Sequence, residues 1–245
     1  MDSVNNNTQR KRRKRLKRNK KLLTLLLGLV VVDIVFFIIG NIILERKLNK
    51  SNPTSQTALD WQLILANPWN TLPDNFSVET KTFPNGHSVD KRIYNELDMM
   101  LEAAKEAGLS PIICSSYRTL DKQTSLFERE IDEYLSNGLS NKEAAIEAAK
   151  WVAVPGTSEH QTGLAVDIVA ESYQLLDKEQ ENTSEQIWLM QNSYKYGFIL
   201  RYPESKSDIT GISYEPWHYR YVGKDAAKEI YEKGICLEEY LEQVL

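Results

Sequence analysis

The chain has 245 residues, of which 42% are hydrophobic and 26% are charged. This composition is ordinary for a folded protein, and the length suits one sizeable domain plus a targeting segment, so neither names a function. The formal net charge of −4 hides an asymmetry, because residues 1–21 carry ten Lys or Arg and one acid, which leaves the remainder with 20 basic and 33 acidic residues, a net charge of −13.

The first predicted element is a transmembrane anchor. Residues 22–44 form a 23-residue stretch in which 18 positions are Leu, Ile, Val or Phe, and a helix of this length crosses roughly 30 Å of hydrocarbon. The preceding basic run alone would also fit a nucleic-acid-binding arm. Because it directly adjoins the apolar stretch, we interpret it as a topology signal and expect no nucleic-acid partner.

The charges flanking the anchor predict its orientation. By the positive-inside rule, residues 1–21 form a cytoplasmic tail and the rest of the chain lies outside the cell membrane. A cleaved signal peptide is less consistent with an apolar region longer than about 15 residues and with the absence of a small-residue cleavage site before Glu45. The segment 45–57 has the polar composition of a linker, and we expect the folded domain to occupy residues 58–245.

Helices and strands alternate irregularly along this domain. Apolar residues recur at helical spacing from Ser88 to Ala107, with Gly108 as the terminating glycine and Ser88 or Asp90 as the helix cap. Further helices are predicted at 120–135, 141–150, 185–196 and 224–233, and strands or extended segments at 111–116, 163–170, 198–201 and 212–222. This order predicts an α+β fold in which helices flank a small, mainly antiparallel sheet.

The predicted strand at 163–170 contains one carboxylate in an apolar context, Asp167. A buried carboxylate is costly unless it is paired or bound to a metal. His160 precedes it by seven residues in a glycine-flanked loop, and His218 follows in Glu215-Pro-Trp-His218. Two imidazoles and a carboxylate are a common ligand set for catalytic zinc. The alternative is that Asp167 pairs with an arginine and both histidines are ordinary core residues, since no H-E-x-x-H helix is present.

Three strings together carry a family resemblance. They are Ser115-Ser-Tyr-Arg118 with Gln123, Ser158-Glu-His-Gln-Thr-Gly-Leu-Ala-Val-Asp167, and Glu215-Pro-Trp-His218. In order and spacing they resemble the D-Ala-D-Ala carboxypeptidases of the LAS metallopeptidases, which include enzymes associated with vancomycin resistance. The resemblance covers roughly residues 58–245.

The resemblance implies a role for each matched position. His160, Asp167 and His218 correspond to the ligands of one zinc ion per chain, Glu215 to the catalytic base, and Arg118 to a substrate and transition-state contact. Candidate substrate-binding residues are Gln123, Ser158, Tyr202 and Trp217, although Trp217 could equally be core packing. His87, at a turn, is interpreted as a surface histidine. Cys114 and Cys236 could pair or remain free.

The function that follows is removal of the C-terminal D-alanine from peptidoglycan stem peptides by an extracellular, membrane-anchored zinc D,D-carboxypeptidase. Two alternatives within the same broad family are an L,D-carboxypeptidase acting on tetrapeptide stems and a peptidoglycan endopeptidase. From a different class, the domain could be a non-catalytic peptidoglycan-binding module. The presence of both Glu215 and Arg118 argues against that reading, because a pure binder needs no proton-transfer group beside the metal.

Overall fold

The computed structural model describes residues 61–245, so the predicted tail, anchor and linker lie outside the described residues. Within this range no helix is long and apolar enough to cross a membrane. The described α-helices are α1 Tyr94–Glu106, α2 Leu120–Ser136, α3 Asn141–Ala148, α4 Ser184–Asn192, α5 Ser207–Thr210, α6 Lys224–Lys233 and α7 Leu237–Val244. The described strands are β1 Thr80–Thr82, β2 Ser88–Asp90, β3 Pro111–Ser115, β4 Ala165–Ala170, β5 Phe198–Leu200 and β6 His218–Tyr221.

The strands form two antiparallel sheets. β1 and β2 make a two-stranded hairpin, and the other four form a sheet of order β3-β4-β6-β5 in which every neighbouring pair is antiparallel. With helices packed around them, the predicted α+β class with a small antiparallel sheet is confirmed.

Strand β4 is the most deeply buried element of the sheet. All six of its residues are buried, which matches its nearly continuous apolar sequence, because a strand covered on both faces has no solvent side to alternate with. One hydrophobic cluster lies under helix α1 and includes Leu97, Met100, Val166 and Ile168. A second cluster joins β5 to helices α6 and α7. Asp167 is therefore anchored in the best-packed part of the domain.

The predicted helix at 88–107 is wrong at its beginning. Ser88–Asp90 is strand β2 paired with β1, and α1 starts only at Tyr94. Neither Ser88 nor Asp90 caps the helix, which has no side-chain cap; the Asp90 carboxylate instead accepts hydrogen bonds from the backbone and guanidinium of Arg92. The predicted end holds, since Gly108 has a positive φ of 83° and glycine tolerates that conformation.

Two other predicted elements also differ. The extended segment at 212–222 reduces to the four residues of β6, and the last helix is not α6 but the additional α7. Cys114 and Cys236 are both free thiols. Although Cys114 is exposed as a residue, partial desolvation of its thiol and the nearby Asp167 charge raise the pKa of that thiol.

Candidate active site

Neighbouring strands place two of the three predicted ligands side by side. Asp167 in β4 is directly opposite His218, the first residue of β6, in the strand register. His160 lies in a 3-10 helix, Glu159–Thr162, just before β4. One ligand atom from each of these three residues lies within 4.8 Å of the others. The fold thus brings together three side chains that are up to 58 residues apart in the sequence.

Hydrogen bonds fix how the two imidazoles face Asp167. His160 Nδ1 is 2.9 Å from the carbonyl oxygen of Ser116 and therefore donates to it, which leaves the His160 Nε2 lone pair 3.2 Å from Asp167 Oδ2. His218 turns its other edge inward, with Nδ1 3.0 Å from Asp167 Oδ1. Each ring therefore presents one nitrogen to a common point beside the carboxylate.

The donor set fits a zinc ion. Two imidazole nitrogens and a carboxylate oxygen are three of the four ligands that a catalytic tetrahedral zinc requires, with one position left for water. All three side chains are buried, with 3–4% of their surface exposed, as is usual where a metal rather than solvent satisfies the polar atoms. Without a metal, burial and the nearby Arg118 charge lower the pKa of His160 to about 4, whereas hydrogen bonds to Asp167 and Glu159 outweigh burial and raise the pKa of His218 to about 9. A bound metal cation would favour the neutral form of both rings, which is the form that binds metals.

The arginine pairing considered for Asp167 is also present. Arg118 Nη2 lies 3.1 Å from Asp167 Oδ2. Arg118 follows strand β3, whose register against β4 shifts between Ile113 and Ser115, and such bulges re-aim the side chains beyond them. Its guanidinium also donates to Ser115 Oγ and to Gln123 Oε1. Within residues 61–245, four of its five N–H donors are thereby engaged, and one on Nη1 remains for a substrate oxygen.

Glu215 lies on a turn directly before β6. Its carbonyl accepts from the His218 backbone N–H at 3.1 Å, and its own N–H donates to the Tyr202 carbonyl at 3.2 Å. This turn through Pro216 brings the Glu215 side chain to the same site as His218, with Glu215 Oε2 3.6 Å from His218 Nδ1. Burial raises the pKa of the Glu215 carboxyl to about 8 in the metal-free site, and the positive charge of a metal ion held by the adjacent ligands would lower it toward the ionised form that a general base requires.

The four predicted substrate contacts divide into two groups. Gln123 is fully buried, its amide oxygen accepts from Arg118 Nη1 and its amide nitrogen donates to the Ala153 carbonyl, so it contacts the guanidinium. Trp217 is buried in the core and its carbonyl accepts from Ile168. Ser158 is buried beside the His160 helix, and the Tyr202 ring lies 4.7 Å from the His218 ring, centroid to centroid. All four stay predicted substrate contacts.

Several residues around the site were not singled out from the sequence. His87, interpreted as a surface residue, is half-buried, and its Nδ1 is 3.1 Å from the Ser116 hydroxyl. Glu159, adjacent to His160, is buried against Arg201 and Arg220. The available signal was the presence of two arginines in predicted strands, because a buried arginine requires an acidic partner.

The profile of the VanY D-alanyl-D-alanine carboxypeptidases matches residues 86–224, which include all of these site residues. The chain belongs to this family. The D-alanyl-D-alanine carboxypeptidase of Enterococcus faecalis is 48% identical over 182 residues, which are 74% of this chain and 66% of that protein. The chain thus spans just under two thirds of the length of this curated relative.

Two solved VanY-family structures are similar in fold. VanYB in complex with D-alanine-D-alanine has a TM-score of 0.69 and 48% identity, and the alignment covers 75% of this chain and 98% of that one. The vancomycin resistance D,D-pentapeptidase VanY in complex with Zn(II) has a TM-score of 0.68 and 47% identity, with 74% of this chain and 99% of that one covered. The family predicted from the three sequence strings is confirmed.

Proposed function

We propose that this VanY-family chain is a zinc-dependent D,D-carboxypeptidase that removes the C-terminal D-alanine from peptidoglycan stem peptides. The observation that carries the proposal is the buried group of His160, Asp167 and His218 with the Glu215 carboxylate 3.6 Å from His218 Nδ1. A binding module would need no proton acceptor at that distance from the metal ligands. The relatives described as bound to D-alanine-D-alanine and to Zn(II) support both the substrate and the metal.

Each residue of the site has a task in this reaction. His160, Asp167 and His218 would hold a zinc ion, which when bound would lower the pKa of a water molecule to about 7 and polarise a carbonyl oxygen. Glu215 accepts the proton of the attacking water and returns it to the amine of the departing D-alanine. Arg118, held by Ser115, Gln123 and Asp167, directs its remaining N–H and its positive charge at an anionic or developing anionic oxygen of the substrate.

The direct test is D-alanine release from synthetic stem peptides by the purified zinc-loaded protein. We expect release from a pentapeptide ending in D-Ala-D-Ala, loss of release with a chelator, and recovery with added zinc. Preferential release from the tetrapeptide would instead identify an L,D-carboxypeptidase, and cleavage of cross-linked dimers an endopeptidase. Tight peptide binding without any product would favour the non-catalytic module.

We further propose that residues 22–44 anchor the chain in the bacterial cell membrane with the carboxypeptidase domain outside. The support is the 18 strongly apolar residues in that stretch, the ten basic residues before it, and the location of the proposed substrate in the cell wall. A domain with a net negative charge gains little from long-range attraction to stem peptides, which end in a carboxylate. Tethering it close to the wall would keep enzyme and substrate together without such attraction.

A further inference from the structure

Glu159 uses its two carboxylate oxygens in very different ways. Oε1 accepts hydrogen bonds from Arg201 Nε and from Arg220 Nη1, both at 2.7 Å. Oε2 is buried and has no hydrogen-bond partner among residues 61–245. Satisfying one oxygen twice and leaving the other bare in a buried site is costly unless the bare oxygen serves a group not yet counted.

The group that faces this oxygen is the far edge of His218. His218 Nε2 lies 3.5 Å from Glu159 Oε2, and it is likewise buried without a hydrogen-bond partner among the described residues. The distance is slightly long for a hydrogen bond, but each of the two atoms has only the other within reach. The near edge of the same ring, Nδ1, faces Asp167 and Glu215.

Two arginines hold the Glu159 carboxylate in place. Arg201 Nε and Arg220 Nη1 both donate to its Oε1, so two guanidinium charges lie against one carboxylate whose side chain is fully buried. Arg201 also donates to Glu238 at 2.8 and 2.7 Å, so two arginines and two glutamates form one buried cluster. The formal charges of these four side chains sum to zero, and Glu159 Oε2 lies beside one of the proposed ligands, 3.5 Å from His218 Nε2.

From this geometry we propose that Glu159 is a positioning residue for His218, accepting a hydrogen bond from Nε2–H and so directing the Nδ1 lone pair toward the metal site. The inference rests on the proposed zinc site. Glu159 would thus do for His218 what the Ser116 carbonyl does for His160, whose Nδ1 lies 2.9 Å from that carbonyl oxygen. Acceptors of this kind set the tautomer and orientation of metal-binding histidines.

The test compares two substitutions in the same buried cluster. In Glu159→Gln the amide oxygen can still accept from the arginines, but the amide nitrogen then faces His218 Nε2, which favours the tautomer whose Nδ1 carries the proton and cannot bind metal. We expect its zinc affinity, measured by chelator competition, to fall by about 10- to 100-fold. Glu238→Gln removes a carboxylate of the same cluster that contacts Arg201 and Asn67, and it should retain near wild-type zinc affinity.

A second measurement needs no variant. In zinc-loaded wild-type protein labelled with ¹⁵N-histidine, long-range ¹H–¹⁵N correlation spectra should show His218 protonated at Nε2 and metal-bound through Nδ1. The reverse assignment would overturn the inference even if neither variant folded. If Glu159→Gln and Glu238→Gln lost zinc affinity equally while the wild-type protein bound zinc normally, Glu159 would have only a structural role and the inference would be wrong. A wild-type protein that binds no zinc would overturn the proposed function, and this inference with it.

Discussion

Arg118 contacts three other residues of the site at once. Its guanidinium donates to Ser115, Gln123 and Asp167, and one N–H has no partner among residues 61–245. A guanidinium can serve these partners because its five donors lie in a fixed plane, whereas an ammonium presents three donors from a single point. The role of Arg118 therefore depends on its shape as well as on its charge.

We predict that Arg118→Lys lowers kcat/KM by about 100-fold or more, the loss typical for removal of an oxyanion contact. Because the proposed role of the arginine includes contacts to both the bound substrate and the reacting oxygen, we expect KM to rise while kcat falls. Steady-state kinetics on the pentapeptide would measure both. Arg129→Lys on the exposed face of α2 is the matched control and should leave both parameters unchanged. Unchanged kinetics in Arg118→Lys would remove the arginine from the mechanism.

Among the helices and strands, the sequence predicted those in which the hydrophobic pattern of the segment agrees with its burial. The apolar run of β4 with its one carboxylate indicated both a buried strand and the place of the metal site, and Gly108 indicated the end of α1. The start of α1 was mispredicted because Ser88–Asp90 pairs with β1, a tertiary contact that overrides helical spacing. The two arginines in predicted strands indicated that a buried acidic partner was needed, but nothing local to Glu159 identified it as that partner, since Arg201 and Arg220 lie 42 and 61 residues away in the sequence.

The short 3-10 helix that carries His160 depends on the glycine that ends it. Gly163 has a φ of +71°, and a Cβ there would lie 2.9 Å from the backbone nitrogen of Asp90. We predict that Gly163→Ala destabilises the domain by roughly 2–4 kcal/mol, combining backbone strain with that clash, and weakens zinc binding by displacing His160. Thermal unfolding with and without zinc would measure both effects.

Gly138 provides the control for that substitution. It also has a positive φ, +90°, but a Cβ there meets nothing within 4 Å. Gly138→Ala should therefore show only the backbone strain of about 1–2 kcal/mol and retain full zinc affinity. If both variants lost the same stability and neither lost zinc affinity, the close approach of Gly163 to β2 would have no bearing on the metal site.

For the whole molecule, the separation of charge along the chain predicts topology. Ten basic residues precede the apolar stretch and the remainder carries a net charge of −13, so the N-terminus should stay inside and the domain outside. Protease added to intact protoplasts should remove the domain, as followed by an antibody against the C-terminal region, while a cytoplasmic marker stays intact. Protection of the domain would contradict the proposed topology. Replacing the basic residues of 10–21 by Gln should reduce the fraction of molecules whose domain the added protease removes.

In the proposed zinc-dependent hydrolysis Glu215 accepts the proton of the attacking water, and the Glu215→Gln variant tests this role most directly. The substitution preserves size and hydrogen bonding but removes the base, so turnover of the pentapeptide should fall by about 10²–10⁴-fold. Zinc content should stay near one per chain, because Glu215 is not among the three grouped ligands. Glu102→Gln, exposed on α1, is the control and should behave as wild type. Near wild-type D-alanine release by zinc-loaded Glu215→Gln would contradict the mechanism.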